Sequence, residues 1–320
     1  MLHSDTRVSS SLVWWSLKGG SHRSFSIATR SDCRRWCAHR STTNRQVYGA
    51  IFHIKNKNPF NLEVLVDAWP DYQIVITRPK KEEMKDDLDH YTNTYHIFIE
   101  APDNLEEALA SPQVINWEQA FQIQGCQENL GEAIRKVSAS KSVQVDYTKT
   151  TLFTLDISEK FKTSSDGNVN LMELIKSSDM DEASKKGNFL SIFLDASHAG
   201  LVNEHWDYGK NERSLKYVEH CLQHFPGFGV LDPERVLISW VVMEQSCEIR
   251  MGYTVPKYRR QGNMMQIGYN GIEYLIQKKI PFYFHVADDR EGYIQTLTKI
   301  GFKCLPCGWH LWKCTPKKYC

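Results

Sequence analysis

The clearest pattern of polar and apolar positions in the chain lies in residues 248–279. Polar and apolar residues alternate through 248–255, which predicts a strand with one set of side chains on each face. Pro256 lacks the amide hydrogen that a strand ladder requires, so the strand should end there. After Gly262, apolar residues recur at intervals of three and four up to Ile276, which is the period of an amphipathic helix. The stretch therefore predicts a strand, a turn and a helix.

The rest of the second half continues this mixture of strands and helices. Strands are predicted at 189–196, 227–232, 235–243 and 280–287, with one or two more in 302–314, and helices at 212–225 and 293–300. Gly301 is placed to end the last helix. Together with the strand and helix of 248–279, the predicted order is β-α-β-β-β-α-β-α-β.

The first half also reads as mixed α/β, without a glycine-rich phosphate turn. Strands are predicted at 47–54, 62–69, 73–79, 94–100 and 143–153, helices at 103–110 and 129–140, and either a strand or a short helix at 117–124. Residues 158–187 are rich in Ser, Lys, Asp and Gly, which indicates a linker or an insertion.

Residues 1–46 differ in composition from the rest, because they are rich in arginine and serine and poor in acids. This composition is typical of a mitochondrial transit peptide, although a disordered tail or an atypical gene-model start explains it as well. We expect this segment not to pack in the core. The predicted domains are this segment, an N-terminal domain at 47–187 that ends in the linker 158–187, and a C-terminal domain at 188–320.

Composition narrows the range of functions. The 39 Lys and Arg residues nearly balance the 38 Asp and Glu residues, so the basic excess of a general nucleic-acid binder is missing. The longest apolar runs, such as 237–243, are too short to cross a bilayer. We therefore expect a soluble globular protein. No nucleic-acid partner and no integral membrane segment are expected, and the expected oligomeric state is a monomer.

The nine cysteines occur in an odd number at irregular spacing, which favours reduced thiols over a disulfide framework. Cys304 and Cys307, followed by His310 and Cys314, invite an interpretation as zinc ligands. Only one CxxC pair is present, however, and tryptophans alternate with these residues as in a buried strand. Packed thiols are the better interpretation, and no metal is expected.

The turn before the long helix of the second half is a candidate phosphate site. Lys257, Arg259 and Arg260 surround Gly262 there, so that R-x-x-G opens a helix. Unpaired N–H groups and the helix dipole favour an anion at a helix N-terminus, and glycine allows the backbone to approach it. A basic turn of this kind is often only a solvated surface, so its position between a strand and a helix carries the argument.

With the strand order, this motif resembles the GCN5-related N-acetyltransferase (GNAT) superfamily, in which such a turn binds the pyrophosphate of acyl-coenzyme A. The segments VYGAIFHIKNKNPFNLEVLVDAWPDYQIVITRP, LVNEHWDYGKNERSLKYVEHC and RMGYTVPKYRRQGNM are similar to the glycine N-acyltransferase family. The resemblance extends from Val47 to Cys320. It implies an α/β fold (an α+β mixed sheet), with a GNAT acyltransferase unit preceded by a degenerate GNAT-like unit. It also implies acyl transfer from coenzyme A to the amino group of glycine.

The resemblance implies that acyl-CoA is a co-substrate and that no cofactor is bound permanently. The residues that would bind it are Val255, Lys257, Arg259, Arg260, Gln261, Gly262, Asn263 and Met264. A smaller residue often stands in the superfamily where this chain has Met264, so the approach of the backbone to the co-substrate could differ there.

Glycine must lose a proton before its nitrogen can attack a thioester, so a base is required beside the cleft. The family's catalytic glutamate corresponds to Glu248, and His285 is the alternative base. Arg250 shares a strand face with Glu248 and could bind the carboxylate of glycine, although an ion pair with an acid explains it equally well. The tyrosine that often protonates the leaving thiolate is replaced by Leu297, which leaves Tyr293 or water as the donor.

Three functions are compatible with these features. The first is an acyl-CoA:glycine N-acyltransferase that uses a glutamate base. The others are a GNAT N-acyltransferase acting on a different amine and a non-catalytic acyl-CoA binder. The expected location is the mitochondrion, with the endoplasmic reticulum or the cytoplasm as alternatives.

Overall fold

The computed structural model describes residues 25–29, 45–69, 71–100, 105–155 and 189–320. The described strands are β1 (Ser26–Ile27), β2 (Leu62–Val66), β3 (Ile74–Pro79), β4 (Thr94–Ile99), β5 (Phe121–Gly125), β6 (Val143–Thr154), β7 (Leu190–Leu194), β8 (Gly227–Leu231), β9 (Leu237–Met243), β10 (Ile249–Thr254), β11 (Phe284–Val286) and β12 (Lys303–Pro316). The described α-helices are α1 (Arg45–Asn56), α2 (Leu105–Ala110), α3 (Leu130–Ser140), α4 (Ala199–His205), α5 (Glu212–His224), α6 (Asn263–Gln277) and α7 (Glu291–Ile300). The predicted linker and most of the arginine- and serine-rich segment lie outside the described residues. None of the helices in the described part combines the length and the apolar content needed to cross a membrane.

The strands form two sheets, and the larger one contains strands from both halves of the chain. One sheet has the order β1-β2-β3-β4-β5-β12-β6-β11, and the other has the order β10-β9-β8-β7. The last strand, β12, lies between β5 and β6 and pairs antiparallel with both. The C-terminal strand therefore completes the sheet of the first half, while the division of the chain into domains at residue 188 stays a prediction.

The predicted fold class and the predicted element order of the second half are confirmed. From β7 to β12 the order is the expected one, except that the first helical region consists of α4 and α5. α4 escaped prediction because it is only seven residues long. Between β10 and β11 the two sheets meet at a single parallel bridge, Glu248 to Tyr283. Beyond that bridge β10 and β11 continue in different sheets, which opens a cleft between them.

The strand predicted at 47–54 is wrong, because these residues belong to helix α1. Val47, Ala50, Ile51 and Ile54 follow the helical spacing, but their β-branched and aromatic neighbours favoured a strand. The helix packs on more than one side, since Val47 and Ile51 contact residues of β2 and β3, whereas Ala50 belongs to the core of the second half. Its apolar surface is thus wider than one stripe, which obscured the helical period.

The expectation that residues 1–46 do not reach the core is wrong for residues 25–29. β1 pairs antiparallel with β2, and Phe25 and Ala28 pack against buried apolar clusters. Without this short strand, β2 would present its unpaired N–H and C=O groups at the edge of the sheet. A second difference is that the strand predicted at 280–287 covers only Phe284–Val286, where it can pair with β6.

Gly49 allows helix α1 to contact the turn that leads into β10. A Cβ atom at Gly49 would lie 1.7 Å from the carbonyl oxygen of Ser246. One turn later, the Nε2 atom of His53 lies 3.1 Å from the Sγ atom of Cys247. A helix of the first half is therefore held directly against the segment that carries Glu248.

Gly49→Ala should lower the free energy of unfolding by about 1–3 kcal/mol, because the added methyl group meets backbone that cannot move aside easily. Gly200→Ala on α4 is the matched control, since nothing lies within 4 Å of a Cβ atom there. Denaturant unfolding of both variants measures the difference. Equal stability of the two variants would show that the contact between Gly49 and Ser246 is not close.

Candidate active site

A cleft of about 960 Å³ lies where β10 and β11 part. Its walls come from β10, the following turn, the start of α6, β11, α7, the loop after α4, and Thr150 of β6. This volume matches the upper part of the range of roughly 300–1,000 Å³ for small-molecule and cofactor pockets. The cleft is thus large enough for a substrate of the size of a nucleotide conjugate.

The predicted basic turn lies at the side of this cleft. Gly262 precedes α6 with φ 83°, in the left-handed region that glycine adopts at little cost. Arg260 lies in the same region, with φ 61°. The backbone N–H groups of residues 260–265 donate to no carbonyl among the described residues. These N–H groups, together with the dipole of the 15-residue helix α6, can hold an anion.

Hydrogen bonds from side chains of the turn fix its conformation. The Nδ2 atom of Asn263 donates to the carbonyl of Tyr258 over 3.0 Å, and the Tyr258 hydroxyl donates to Asp232 over 2.6 Å. The Nε atom of Arg259 donates to the carbonyl of Thr254 over 3.0 Å. These bonds hold the backbone open toward the cleft before any ligand binds.

The predicted acyl-CoA residues divide into two groups. Those that line the cleft are Arg259, Arg260, Gly262, Asn263 and Met264. Val255, Lys257 and Gln261 are not part of its lining. The N–H group of Val255 donates to Ile238 over 2.9 Å, and the Lys257 ammonium lies 4.5 Å from the centre of the Tyr258 ring. Assignment of either group to acyl-CoA stays a prediction.

The two candidate bases form a pair. The Nδ1 atom of His285 is hydrogen-bonded to the Oε1 atom of Glu248. Glu248 has 0% exposure, whereas the side chain of His285 is 13% exposed and lines the cleft. The imidazole stacks on Trp309 with 3.9 Å between ring centres. The histidine is therefore the member of the pair that a substrate can contact.

Arg250 is buried between two indole rings and two carboxylates. Its Cζ atom lies 5.7 Å from the ring centre of Trp206 and 5.5 Å from that of Trp309. Its Nη1 atom is 3.5 Å from Glu244, and its Nε atom is 3.9 Å from Glu248. Burial opposes the charge, but the carboxylates of Glu248 and Glu244 outweigh it and raise the pKa of Arg250. The guanidinium is therefore a permanent cation at the cleft wall.

Glu244 was not among the predicted site residues. It is fully buried and accepts hydrogen bonds from Ser246 and from the hydroxyl of Tyr217. Burial pushes the pKa of Glu244 upward, but the charge of Arg250 and these hydrogen bonds lower it overall. The sequence indicated a role for Glu244 only by placing a second glutamate in the hairpin turn before β10.

Tyr293, which the sequence left as an alternative to water for the proton donor, also lies in the cleft wall. A Cβ atom on Gly252 of β10 would be 3.6 Å from its hydroxyl oxygen. Burial raises the pKa of Tyr293, so the hydroxyl keeps its proton at neutral pH. Leu297, one turn later, is buried in the core.

The cysteines considered as zinc ligands do not form a cluster. His310 is bonded to the Tyr147 hydroxyl over 2.8 Å and lies 2.9 Å from the carbonyl of Cys307, and Cys314 is buried in the core of the first half. In the described residues, no group of three or more potential ligands is close enough to hold a metal ion.

Comparison with known proteins identifies the family of the chain. The family model for aralkyl acyl-CoA:amino acid N-acyltransferase matches residues 43–226, and the model for its C-terminal region matches residues 228–316. Human glycine N-acyltransferase-like protein 2 is 70% identical over 275 residues, which are 86% of this chain and 92% of that protein. Bovine glycine N-acyltransferase is 40% identical over 272 residues, which are 85% of this chain and 91% of that protein.

A Drosophila protein solved by X-ray crystallography has the same fold at a TM-score of 0.68 and 14% identity, covering 91% of this chain and 98% of that one. The predicted mixed α/β fold class and the predicted family are confirmed. The chain belongs to the aralkyl acyl-CoA:amino acid N-acyltransferase family, whose two models together cover most of its length.

Proposed function

We propose that this protein transfers an acyl group from coenzyme A to the amino group of glycine, which yields an N-acylglycine and free coenzyme A. The observation that carries the proposal is that one cleft joins an anion-binding helix N-terminus to a buried carboxylate–histidine pair. The printed names of the human and bovine relatives refer to glycine N-acyltransferase, which supports glycine as the acceptor.

Acyl-CoA binds as the co-substrate with its pyrophosphate at the turn before α6. Arg259 and Arg260 supply positive charge there, and the unpaired N–H groups of residues 260–265 supply hydrogen-bond donors. The phosphates then lie at the exposed end of the cleft, where the two arginines have access to solvent. The thioester reaches inward along β10 toward His285.

His285 takes the proton from the ammonium group of glycine, and Glu248 acts through it. Glu248 is not part of the cleft lining, so it acts on the amine through His285, and its bond to Nδ1 orients the imidazole and stabilises the imidazolium that forms. This division of roles differs from the sequence prediction, in which Glu248 was the base and His285 the alternative.

The bond changes balance as follows. The deprotonated nitrogen forms a bond to the thioester carbonyl carbon, and the C–S bond breaks with its electron pair leaving on sulfur. Of the three protons on the ammonium group, one stays on the amide nitrogen and one passes through His285 to solvent. The Tyr293 hydroxyl, in the cleft wall beside β10, donates a proton to the thiolate, and the third ammonium proton, lost from nitrogen after the C–N bond forms, returns to the tyrosinate through solvent.

In the wild-type protein, release of coenzyme A should require both acyl-CoA and glycine. A thiol-release assay across acyl-CoA chain lengths, with glycine present and absent, measures this requirement. A panel of other amines is run in parallel. Faster release with a polyamine than with glycine would contradict the proposed acceptor, and acyl-CoA binding without turnover on any amine would contradict catalysis.

Glu248→Gln and His285→Gln should each lower kcat about 100-fold at pH 7–8, which is the contribution expected of a general base. The double variant should fall only slightly further, because the two residues act as one unit. Glu219→Gln on the exposed side of α5 is the control. Unchanged turnover in Glu248→Gln, or fully multiplicative losses in the double variant, would contradict the pair.

Arg260→Ala should raise the KM for acyl-CoA about five-fold and leave the KM for glycine unchanged, because it removes roughly 1 kcal/mol of charge interaction at an exposed site. Lys278→Ala, at the opposite end of α6, is the control of equal charge. Steady-state kinetics with each substrate varied separately measures both constants. Equal effects of the two variants would contradict a pyrophosphate site at the turn.

Tyr293→Phe should lower kcat about ten-fold, since the leaving thiolate must then take its proton from water. Because burial raises the pKa of Tyr293, the donor stays protonated, and the loss should be constant between pH 7 and 9. Tyr274→Phe, outside the cleft, is the control. A kcat equal to that of the wild type would assign the donor role to water.

A further inference from the structure

Thr150 is a polar residue in the cleft wall whose side chain has no other evident role. It is 5% exposed, and its Oγ1 atom has no hydrogen-bond partner among the described residues. The next residue, Thr151, differs, because its hydroxyl donates to Asp288 over 2.6 Å. A buried hydroxyl that borders a cleft without a partner is well suited to donate to a ligand.

The sheet places Thr150 beside the reacting groups. Thr150 of β6 is directly opposite Trp309 of β12, and Leu152, on the same face of β6, is directly opposite His285 of β11. Trp309 is the ring against which the Arg250 guanidinium lies, at 5.5 Å. Thr150, Arg250 and His285 are therefore close neighbours in this part of the structure, and all three residues line the cleft.

The charges of this region favour a ligand that carries both a positive and a negative charge. Glu244 and Glu248 together with Arg250 give a formal charge of −1 when His285 is neutral, so a simple anion would be repelled. An amino acid in its zwitterionic form adds no net charge. Its ammonium group can lie against the His285–Glu248 pair while its carboxylate lies against the cation.

We propose that Arg250 and the Thr150 hydroxyl together bind the carboxylate of the acceptor amino acid. This assignment rests on the proposed function, because it presumes that an α-amino acid occupies the cleft next to acyl-CoA. The site takes a small amino acid, since the rings of Trp206 and Trp309 lie close to the guanidinium, with their centres 5.7 Å and 5.5 Å from Cζ. An amine without a carboxylate would leave Arg250 and Thr150 without a ligand.

Thr150→Val tests the site, because valine keeps the shape and the strand preference of threonine but has no hydroxyl. The KM for glycine should rise about ten-fold, as expected for loss of a hydrogen bond to a charged group. The KM for acyl-CoA should not change, and kcat should stay within about two-fold. Thr150→Ser, which keeps the hydroxyl, should restore the KM for glycine.

Two comparisons separate binding from structural damage. Thr148→Val, on the same strand but outside the cleft lining, should leave all constants unchanged. Glycinamide, which has the amino group but no carboxylate, should be a poorer acceptor than glycine for the wild type. Thr150→Val should not make glycinamide worse.

The outcomes distinguish this site from the proposed function. An unchanged KM for glycine in Thr150→Val, or an equal loss with glycinamide, would overturn the carboxylate site alone. A wild-type protein that binds acyl-CoA but releases no thiol in response to glycine would overturn both proposals. A selective rise in the KM for glycine, absent with glycinamide, supports the carboxylate site.

Discussion

The buried charge of Arg250 is the constraint on which the arrangement of the cleft depends. A guanidinium with 5% exposure is stable only if carboxylates and polarisable surfaces replace the water it has lost. Glu244 and Glu248 come from the turn before β10 and from its start, Trp206 follows α4, and Trp309 belongs to β12. These four segments must be in place together, because removing one would leave a buried charge uncompensated.

The shared sheet brings those segments together. β12 crosses from the second half into the sheet of the first half and places Trp309 next to β6. Helix α1 of the first half meets the turn of Ser246 through the surface left open by Gly49. The first half shows no glycine-rich phosphate turn in its sequence, yet it supplies Thr150 and the support for the Glu248 turn. It is therefore part of the site and not merely an appended unit.

The two ends of the cleft work in different surroundings. At the turn before α6, Arg259 and Arg260 are exposed, so solvent screens their attraction for an anion. The backbone N–H groups of the turn are fixed in orientation, and they determine where an anion can be hydrogen-bonded. At the inner end, Glu248 has no exposure and His285 little, so charges there lie in a poorly solvated setting where each acts strongly. The proposed acyl-CoA substrate would join the two ends, with its phosphates at the first and its thioester at the second.

Local patterns in the sequence determined the strand, the turn and helix α6, the left-handed glycine at Gly262 and the stop at Gly301, because each depends on residues close together in the chain. The tertiary structure alone decided that His285 pairs with Glu248, that Arg250 lies between Trp206 and Trp309, and that Thr150 borders the same cleft. Those contacts join residues from separate strands and helices, and periodicity carries no information on which strands pair. Helix α1 was missed for a related reason. It is buried on several faces, so its apolar residues do not form the single stripe by which a helix is recognised in a sequence.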